Sequence, residues 1–372
     1  MAAGDFKGTI DFGTGPLTSA GDSDLFVASW GACGEPLWAR RFGDSAAQTM
    51  KALAISPSGD PVVTGHFAGS LVFGRSSLQG PGVFAARLTS NATADVWSRV
   101  LAGTPGEDIV TVADATTDQR GETTLVGYMD GRIDFGGKII TGQIGGWAAH
   151  LDAAGRTQWA TALPGGSDRE DVKVLTAPDQ RTYVYTQWAT GSRSFLTQLA
   201  ADGTVAFNRR YYGTGNQLEF AYDMAFAPDG TLLVAGAGAF ATAPVTGDAD
   251  ERPFVANLDA SGNPLWVRKL DGIRARHITS RARTILIAGE TTEGSCLDLP
   301  GNDCATFVSR LATDGSTIWA NGLHGPAART SALTADPSGN PILTGTFDTS
   351  LKAGKFQLTG AAATPFIASF SR

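Results

Sequence analysis

Short runs of alternating apolar and polar residues recur along this chain, and each copy of the pattern opens on an aromatic residue. The openings stand 48 to 63 positions apart, at Phe26, Phe84, Trp147, Phe195, Phe254, Phe307 and Phe366. A second aromatic residue follows most of them in the next run, at Trp38, Trp97, Trp159, Phe207, Trp266 and Trp319. A small, apolar run then ends in a turn, and a fourth run closes on glycine, as at Gly65, Gly236, Gly289 and Gly345. Each copy therefore contains four short runs separated by turns.

The runs have the period and composition of β-strands. They are too short for helices, alternate with a period of two, and are rich in Val, Ile, Phe, Trp and Thr. In the turns, proline presets the first residue and glycine takes the positive backbone angle. Four-stranded antiparallel sheets that repeat without helices between them are typical of a β-propeller. The sequence predicts an all-β fold built from such blades, with residues 1–372 as a single domain.

The number of blades depends on how the two ends of the chain are interpreted. Residues 4–13 match residues 65–74 and 127–136, so the chain begins near the end of a second strand. Seven aromatic strands can be counted, but only six innermost strands. This pattern favours seven blades, of which the first lacks its inner strand and the last its outer strand. The alternative is six blades with one surplus aromatic strand, and in either case N- and C-terminal strands are expected to close the propeller.

Two segments carry a resemblance to a known family. The copies FVANLDASGNPLW, from Phe254, and ADPSGNPILTGTF, from Ala335, resemble the bacterial SBBP-type β-propeller repeat. The likeness covers essentially the whole chain, although the copies from Trp147 and Phe195 are degenerate. It implies an exported or surface-displayed bacterial protein, since members are typically of that kind and most have no assigned activity. LDASGNPLW also resembles the tryptophan-docking repeat of quinoprotein propellers, a likeness that concerns blade packing and not a quinone cofactor.

Composition and charge narrow the classes of partner. The net charge of −7 and the pI near 5.1 argue against nucleic acid and anionic membranes, which require a basic surface. No uninterrupted apolar run is long enough to span a membrane, and the first residues contain no apolar signal core. The resemblance to the SBBP-type repeat implies a location outside the cell, at the cell surface or in the periplasm, so an export signal is expected to be missing from this chain. We also expect a monomer.

The three cysteines allow one disulfide. Cys296 and Cys304 stand eight residues apart in one connection, where a bridge would indicate an oxidising compartment, and two free thiols are the alternative. Cys33 has no evident partner in the sequence. No pair of cysteines with a nearby histidine completes a zinc site.

Long connections between second and third strands predict the functional surface. They cover residues 66–82, 128–145, 237–252, 290–305 and 346–364, and in a propeller they share a face with the loops that enter the inner strands. Charged residues mark those loops, at Asp44, Glu107, Asp108, Arg169, Glu170, Asp171, Glu219, Asp223, Arg274, Arg276 and Arg329. They could bind a polar ligand or provide acid and base groups, or they could solvate a rim and cap strand ends. If these loops bind a ligand, we favour Asp108, Glu170 and Asp171 as the residues that contact it, and Arg276 is a further candidate.

Two aromatic residues are further candidates for ligand contact. Trp188 breaks the repeat just after the position where other copies have glycine, and Tyr128 follows a second strand. The tryptophans that recur in each copy predict a packing girdle between blades, although carbohydrate stacking would be the functional alternative.

Other patterns point to structural roles. The acidic pairs Asp22 with Asp24 and Asp248 with Asp250 would allow calcium, but the complete twelve-residue loop is absent, so no cofactor is expected. The histidines His66, His150, His277 and His324 occupy different places in different copies. Asp-Phe-Gly at residues 11–13 and 134–136 matches Val-Phe-Gly at residues 72–74, which indicates a repeated turn and not a kinase motif.

Three functions are consistent with these features. The leading hypothesis is a non-enzymatic exported or cell-surface propeller that binds a protein or a glycan through its loop face. The rival is a propeller hydrolase or lyase that uses the acidic and arginine residues at the channel mouth. The third is an architectural module of a longer surface protein.

Overall fold

The structure is a computed structural model of the chain. It describes all residues except 32–33, 102–108, 165–171, 189–192, 213–219, 238–251, 272, 292–303, 362 and 371–372, and it describes the backbone alone at 188, 193, 212, 220, 304 and 305. The described residues form strands and turns and contain no helix. Among them, no helix is long and apolar enough to cross a membrane.

The strands of the first three sheets follow the predicted order. Sheet one contains β1 (Ala2–Phe6), β4 (Asp24–Trp30) and β5 (Pro36–Phe42), with the small hairpin β2 (Thr9–Asp11) and β3 (Pro16–Thr18) between them. Sheet two contains β6 (Gln48–Ile55), β7 (Pro61–Phe67), β10 (Gly82–Leu88) and β11 (Asp95–Leu101), with the hairpin β8 (Ser70–Val72) and β9 (Ser77–Gln79). Sheet three contains β12 (Ile109–Val110), β13 (Asp114–Thr117), β14 (Thr123–Asp134), β15 (Ile139–Leu151) and β16 (Thr157–Ala162).

Sheets four and five are regular four-stranded sheets. Sheet four contains β17 (Lys173–Thr176), β18 (Thr182–Trp188), β19 (Arg193–Leu199) and β20 (Val205–Tyr212). Sheet five contains β21 (Phe220–Phe226), β22 (Leu232–Ala237), β23 (Pro253–Leu258) and β24 (Pro264–Lys269).

The last two sheets are joined by a hairpin. Sheet six contains β25 (Ile273–Arg281), β26 (Thr284–Thr291), β27 (Cys304–Leu311) and β28 (Thr317–His324). Sheet seven contains β29 (Arg329–Ala335), β30 (Pro341–Phe347) and β33 (Thr364–Ser369). The hairpin β31 (Ser350–Ala353) and β32 (Phe356–Thr359) leaves sheet seven and pairs with the outer strand of sheet six, where Lys352 lies opposite His324.

These seven sheets are the blades of a seven-bladed, all-β propeller, which confirms the predicted fold and the favoured blade number. Within the described residues, sheet one lacks an inner strand and sheet seven an outer strand, as predicted. The chain divides into two compact units. The first unit is Met1–Ala189 with Phe195–Asn208, and the second is Thr190–Ser194 with Arg209–Arg372.

Alternation along each strand explains how the sheets pack inside each unit. Val62 and Val63 are neighbours in β7 and both are completely buried, yet they belong to two different hydrophobic clusters, one on each side of sheet two. Complete burial of one such side chain stabilises the fold by about 1.5–3 kcal/mol. Both faces of sheet two are therefore apolar, because sheet one covers one face and sheet three covers the other.

The long connection of residues 66–82, predicted as a loop, forms the hairpin β8–β9 and packs into the core. Phe73 at the hairpin turn is completely buried, with its ring centroid 5.1 Å from that of Phe42 and 5.7 Å from that of Phe84. Phe135 occupies the same place in the extended hairpin of β14 and β15, 5.1 Å from the ring of Trp147. The repeated Phe-Gly turns are therefore structural, as predicted.

Candidate functional site

Four innermost strands carry one extra residue at the same place, opposite the end of the second strand. The strand ladder skips Lys51 in β6, Tyr222 in β21, Arg276 in β25 and Ser331 in β29. A bulge leaves its extra residue out of the ladder and re-aims the side chain. The bulged side chains of each unit are therefore candidates for contact with a ligand.

The closing glycines of the second strands are required by these bulges. A Cβ atom at Gly65 would lie 2.0 Å from the carbonyl oxygen of Thr49, and one at Gly289 would lie 1.9 Å from the carbonyl oxygen of Arg274. Both distances are far below van der Waals contact, so a side chain would force the second strand away from the bulge. Close backbone approach, and not a turn, explains why each run closes on glycine.

In the second unit, the bulges bring an arginine onto an aromatic ring. The guanidinium carbon of Arg276 lies 4.6 Å from the ring centroid of Tyr222, and its Nε donates to Oε2 of Glu290 at 2.7 Å. The side chain of Arg276 remains 36% exposed and that of Glu290 27% exposed. Stacking on an aromatic face and an ion pair together hold a guanidinium in one orientation. We call Tyr222, Arg276 and Glu290 the arginine cluster.

The structure describes only some of the predicted site residues. Arg276 is in the arginine cluster of the second unit, whereas Tyr128 belongs to the first unit. Tyr128 lies within β14 and not after it, and its carbonyl oxygen accepts from the N–H of Thr111 at 2.9 Å. Trp188 ends β18 and Cys304 begins β27, but the described residues do not include their side chains. Further candidates from the sequence lie outside the described residues, namely Cys33, Glu107, Asp108, Arg169, Glu170, Asp171, Glu219, Asp248, Asp250 and Cys296.

Asp44 caps backbone groups, which is the structural alternative considered for the charged loops. Its Oδ1 accepts from the N–H of Ala46 at 2.9 Å, and its Oδ2 accepts from the N–H of Ser70 at 2.6 Å. These hydrogen bonds, with that from Ala46 the largest effect, lower the pKa of Asp44 from 3.8 to about 2. The carboxylate therefore stays ionised and joins the loop entering β6 to the hairpin β8–β9.

Asp223 and Asp114 join consecutive inner strands, which the sequence analysis did not detect. Oδ2 of Asp223 accepts from the N–H of Ile278 at 3.0 Å, and in the first unit Oδ2 of Asp114 accepts from the N–H of Val174 at 3.1 Å. Both aspartates stand three residues before the end of their strands, Phe226 and Thr117. This shared position in the strand was the only sequence signal for the link. The residues that donate to the two carboxylates lie 55 and 60 residues further along the chain, so the sequence alone does not identify them.

The recurring tryptophans pack between sheets, which confirms the predicted girdle in each unit. Trp159 Nε1 donates to the carbonyl oxygen of Ala201 in the turn of the next sheet at 2.9 Å, and Trp266 Nε1 donates to that of Thr313 at 3.0 Å. The glycine of the same turn lies against the indole, because a Cβ atom at Gly203 would be 2.5 Å from Trp159 and one at Gly315 would be 2.7 Å from Trp266.

His150 has a structural environment. Its ring stacks on Trp159 at 5.4 Å, Nδ1 hydrogen-bonds Thr124 Oγ1 at 2.9 Å, and Nε2 lies 3.3 Å from Oε2 of Glu122. These contacts hold the ring inside the first unit and support the structural role predicted for it.

Of the two acidic pairs considered for calcium, only Asp22 and Asp24 lie among the described residues, and both are paired with cations. Asp22 pairs with Lys7, and Asp24 pairs with Arg41 and accepts from the N–H of Ala20 at 2.9 Å. Across the part of the chain that the structure describes, no group of three or more His, Cys, Asp or Glu residues is arranged to hold a metal ion.

Comparison with known proteins bears on the fold. No family model matches the chain, and no curated protein matches it. A variant of the apocarotenoid oxygenase of Synechocystis is similar in structure, with a TM-score of 0.50, 10% sequence identity, and 99% of this chain and 92% of that chain covered. At this identity the likeness concerns the fold and not the activity.

Two further solved structures have lower TM-scores. The PQQ-bound aldose sugar dehydrogenase of Streptomyces coelicolor has a TM-score of 0.45 and 12% identity, with 86% of this chain and 93% of that chain covered. The calcium-binding protein regucalcin of Agrobacterium tumefaciens has a TM-score of 0.41 and 15% identity, with 80% and 81% covered.

Proposed function

We propose that this chain is a non-enzymatic propeller that binds a glycan or protein ligand carrying a carboxylate, and that the arginine cluster of the second unit contacts the ligand. The observation that carries the proposal is the partly exposed side chain of Arg276, whose guanidinium is stacked on Tyr222 and oriented by Glu290. An arginine held in this way presents a planar set of donors that matches a carboxylate.

The hydrogen bonds of the carboxylates of Asp44 and Asp223 support a role in ligand binding rather than in catalysis for this protein. Asp44 accepts hydrogen bonds from Ala46 and Ser70, and Asp223 accepts them from Met224 and Ile278. A carboxylate committed to backbone N–H groups is a poor proton acceptor, because its ionised form is stabilised. Asp44 therefore serves the scaffold of the first unit, and Asp223 serves that of the second unit, which contains the arginine cluster.

The proposed location is outside the cytoplasm, at the cell surface or in the periplasm, with the protein acting as a monomer. The resemblance of residues 254–266 and 335–347 to the SBBP-type repeat supports this location. Fractionation of the native host, followed by detection of the protein, tests it, and recovery in the cytoplasm alone would contradict it.

A glycan-array screen with and without calcium tests the proposed function, followed by pull-down from cell-envelope extracts. Binding should favour ligands with carboxylates, and Arg276→Ala should weaken it by about tenfold or more, since a hydrogen bond to a charged group contributes about 1.5–3 kcal/mol. Arg283→Ala is the matched control, because Arg283 is exposed in the turn at the other end of the same strand. Equal binding by wild-type protein and Arg276→Ala would contradict the role of the cluster.

A further inference from the structure

Two further arginines stand beside the arginine cluster on the inner strands of the second unit. Arg274 lies in β25, two residues before Arg276, and Arg329 begins β29, the inner strand of the next sheet. The strands β25 and β29 pack against each other within that unit. Three arginines are therefore carried by two neighbouring strands.

The strand registers place Arg274 and Arg329 at equivalent positions. In each ladder, the residue that follows the arginine lies opposite the closing glycine of the second strand, which is Gly289 in sheet six and Gly345 in sheet seven. The bulge comes directly after that residue in both strands. Both arginines therefore stand at the bulge end of their strands, as Arg276 does.

The three arginines carry more charge than their surroundings neutralise. Arg274 and Arg329 are exposed, and within the described part of the chain neither side chain forms a hydrogen bond or an ion pair. Arg276 donates to Glu290 through Nε alone, which leaves its two terminal nitrogens for another acceptor. Three positive charges against the one negative charge of Glu290 leave an excess of two, in a protein whose net charge is −7.

The other exposed side chains on these strands are polar or small. Ser331 is the bulged residue of β29, and Ala332 and Thr334 are exposed in the same strand. Among the described residues of β21, β25 and β29, no large hydrophobic side chain is exposed. A protein interface needs aromatic or aliphatic side chains that become buried at its centre. A polyhydroxylated ligand that carries carboxylates needs charges and hydrogen-bonding groups instead, and these strands provide both.

We propose that the ligand of the arginine cluster is an acidic polysaccharide of the polyuronate type, bound through two of its carboxylates at once. One carboxylate binds the terminal nitrogens of Arg276, with Arg274 beside it, and another carboxylate of the same polysaccharide binds Arg329. Ser331 offers its hydroxyl to the sugars. This inference rests on the proposed function, since it assigns a class of ligand to the same site.

Two contacts on one ligand favour an oligosaccharide over a single sugar. Because Arg274 and Arg329 are exposed, water and salt weaken each contact with a carboxylate. Once the first carboxylate is bound, the second contact forms within the same complex, at a high effective concentration. Affinity should therefore rise steeply from monosaccharide to oligosaccharide and fall as salt is added.

Isothermal titration of the whole protein with uronic acids tests the proposal. The probes are the monomers and linear tetramers of galacturonic and mannuronic acid, and a fully methyl-esterified tetramer that keeps the sugars but not the charges. At least one tetramer should bind about tenfold or more tightly than its monomer, and the esterified tetramer should not bind. A tetraglutamate peptide, which also carries several carboxylates, should bind at least about tenfold more weakly than that tetramer.

Protein variants separate the two contacts. Arg329→Ala should reduce the affinity for the tetramer to about that for the monomer, because it removes the second contact. Arg276→Ala should weaken binding of the monomer as well. Arg283→Ala is the control, since Arg283 is exposed in the turn at the other end of β25 and should not affect either probe. Thermal unfolding confirms that each variant is folded.

The outcomes separate this inference from the proposed function. Suppose that Arg276→Ala weakens binding, but that tetramers bind no better than monomers or that Arg329→Ala binds the tetramer as wild type does. The proposed function is then supported and the polyuronate inference is overturned. Equal or tighter binding of tetraglutamate also overturns it. Absence of binding by every uronic acid overturns this inference alone, because the glycan array and the pull-down decide the proposed function separately.

Discussion

Gly127 in β14 lies directly opposite Trp147 in β15, and a Cβ atom at Gly127 would stand 2.0 Å from the carbonyl oxygen of Thr111 and 2.8 Å from Cζ2 of Trp147. The same pairing of a closing glycine with an opening aromatic residue occurs between Gly65 and Phe84. The indole occupies the space that the missing side chain leaves, so the two residues form one packing unit across the strands.

Replacement of Gly127 by alanine should therefore destabilise the protein. We expect Gly127→Ala to lower the free energy of unfolding by about 1–3 kcal/mol, the usual cost of overpacking a core. Gly142→Ala is the matched control on the partner strand, because its Cβ would meet only Met129 at an ordinary 3.6 Å. Chemical denaturation of both variants measures the difference, and equal stabilities would contradict this account of the closing glycine.

The contact between Gly315 and Trp266 can be isolated by comparing two turns. Gly315 and Gly230 both have positive φ, at 80° and 85°, but only Gly315 has an indole within reach of a Cβ atom. Both alanine variants should carry the strain of a left-handed backbone, about 1–2 kcal/mol. Gly315→Ala should be clearly less stable than Gly230→Ala by thermal unfolding, and the opposite order would be inconsistent with tryptophan docking.

The carboxylate of Asp44 should make stability depend on pH in a defined direction. Its pKa is held at about 2 in the folded protein against an ordinary 3.8, so ionised Asp44 stabilises the folded state above the ordinary value. This contribution is lost as the pH falls through the folded value. Asp44→Asn should be less stable than wild type at neutral pH, and the difference should shrink as the pH falls between these two values.

Denaturation at several pH values measures this shrinking difference. Asp22→Asn serves as the control, since Asp22 is 51% exposed in a surface ion pair with Lys7 and such pairs contribute little. A difference between wild type and Asp44→Asn that stays constant with pH would refute the role of the Asp44 hydrogen bonds.

The link from Asp223 to Ile278 should be visible in amide hydrogen exchange. Asp223→Ala removes the acceptor of the Ile278 N–H, which otherwise bonds Oδ2 at 3.0 Å, and loss of such a partner costs about 1–3 kcal/mol. We expect faster exchange at Ile278 in this variant. Asp229→Ala, in the exposed turn that follows the same strand, should leave the Ile278 amide as protected as in wild type.

Binding and catalysis can be separated with the double variant Asp108→Ala and Asp171→Ala. An enzyme that used these carboxylates would lose turnover, whereas a binding protein that uses the arginine cluster would retain ligand affinity. Affinity for a carboxylate ligand is measured in the double variant beside Arg276→Ala. Unchanged affinity in the first and lost affinity in the second is the expected pattern.

The fold could be predicted from the sequence because its determinants are local and repeated. Each opening aromatic residue lies within the third strand of a sheet, and the number of those residues equals the number of sheets. The incomplete first and last sheets were also visible, since the matches among residues 4–13, 65–74 and 127–136 fix where the chain enters the repeat. The prediction of the strands and of their order rested on the alternation with a period of two and on the proline and glycine residues of the turns.

The candidate site was less predictable, because its geometry depends on backbone segments that are distant in the sequence. Nothing local marks Arg276 as a bulged residue, since a bulge is defined by the register of the opposing strand. The same holds for Asp114 and Asp223, whose acceptor role requires a strand from the next sheet. The connection at residues 66–82 has only three-residue strands, too short to stand out as alternation.

The tryptophan contacts also determine when each sheet is finished during synthesis of the chain. The acceptors of Trp159 and Trp266 lie 42 and 47 residues further along. When β24 has just left the ribosome, Thr313 has therefore not yet emerged. The hydrogen bond from the indole of Trp266 can form only after most of the next copy has been synthesised. Maturation of each sheet thus trails translation by one repeat, in the order in which the copies are made.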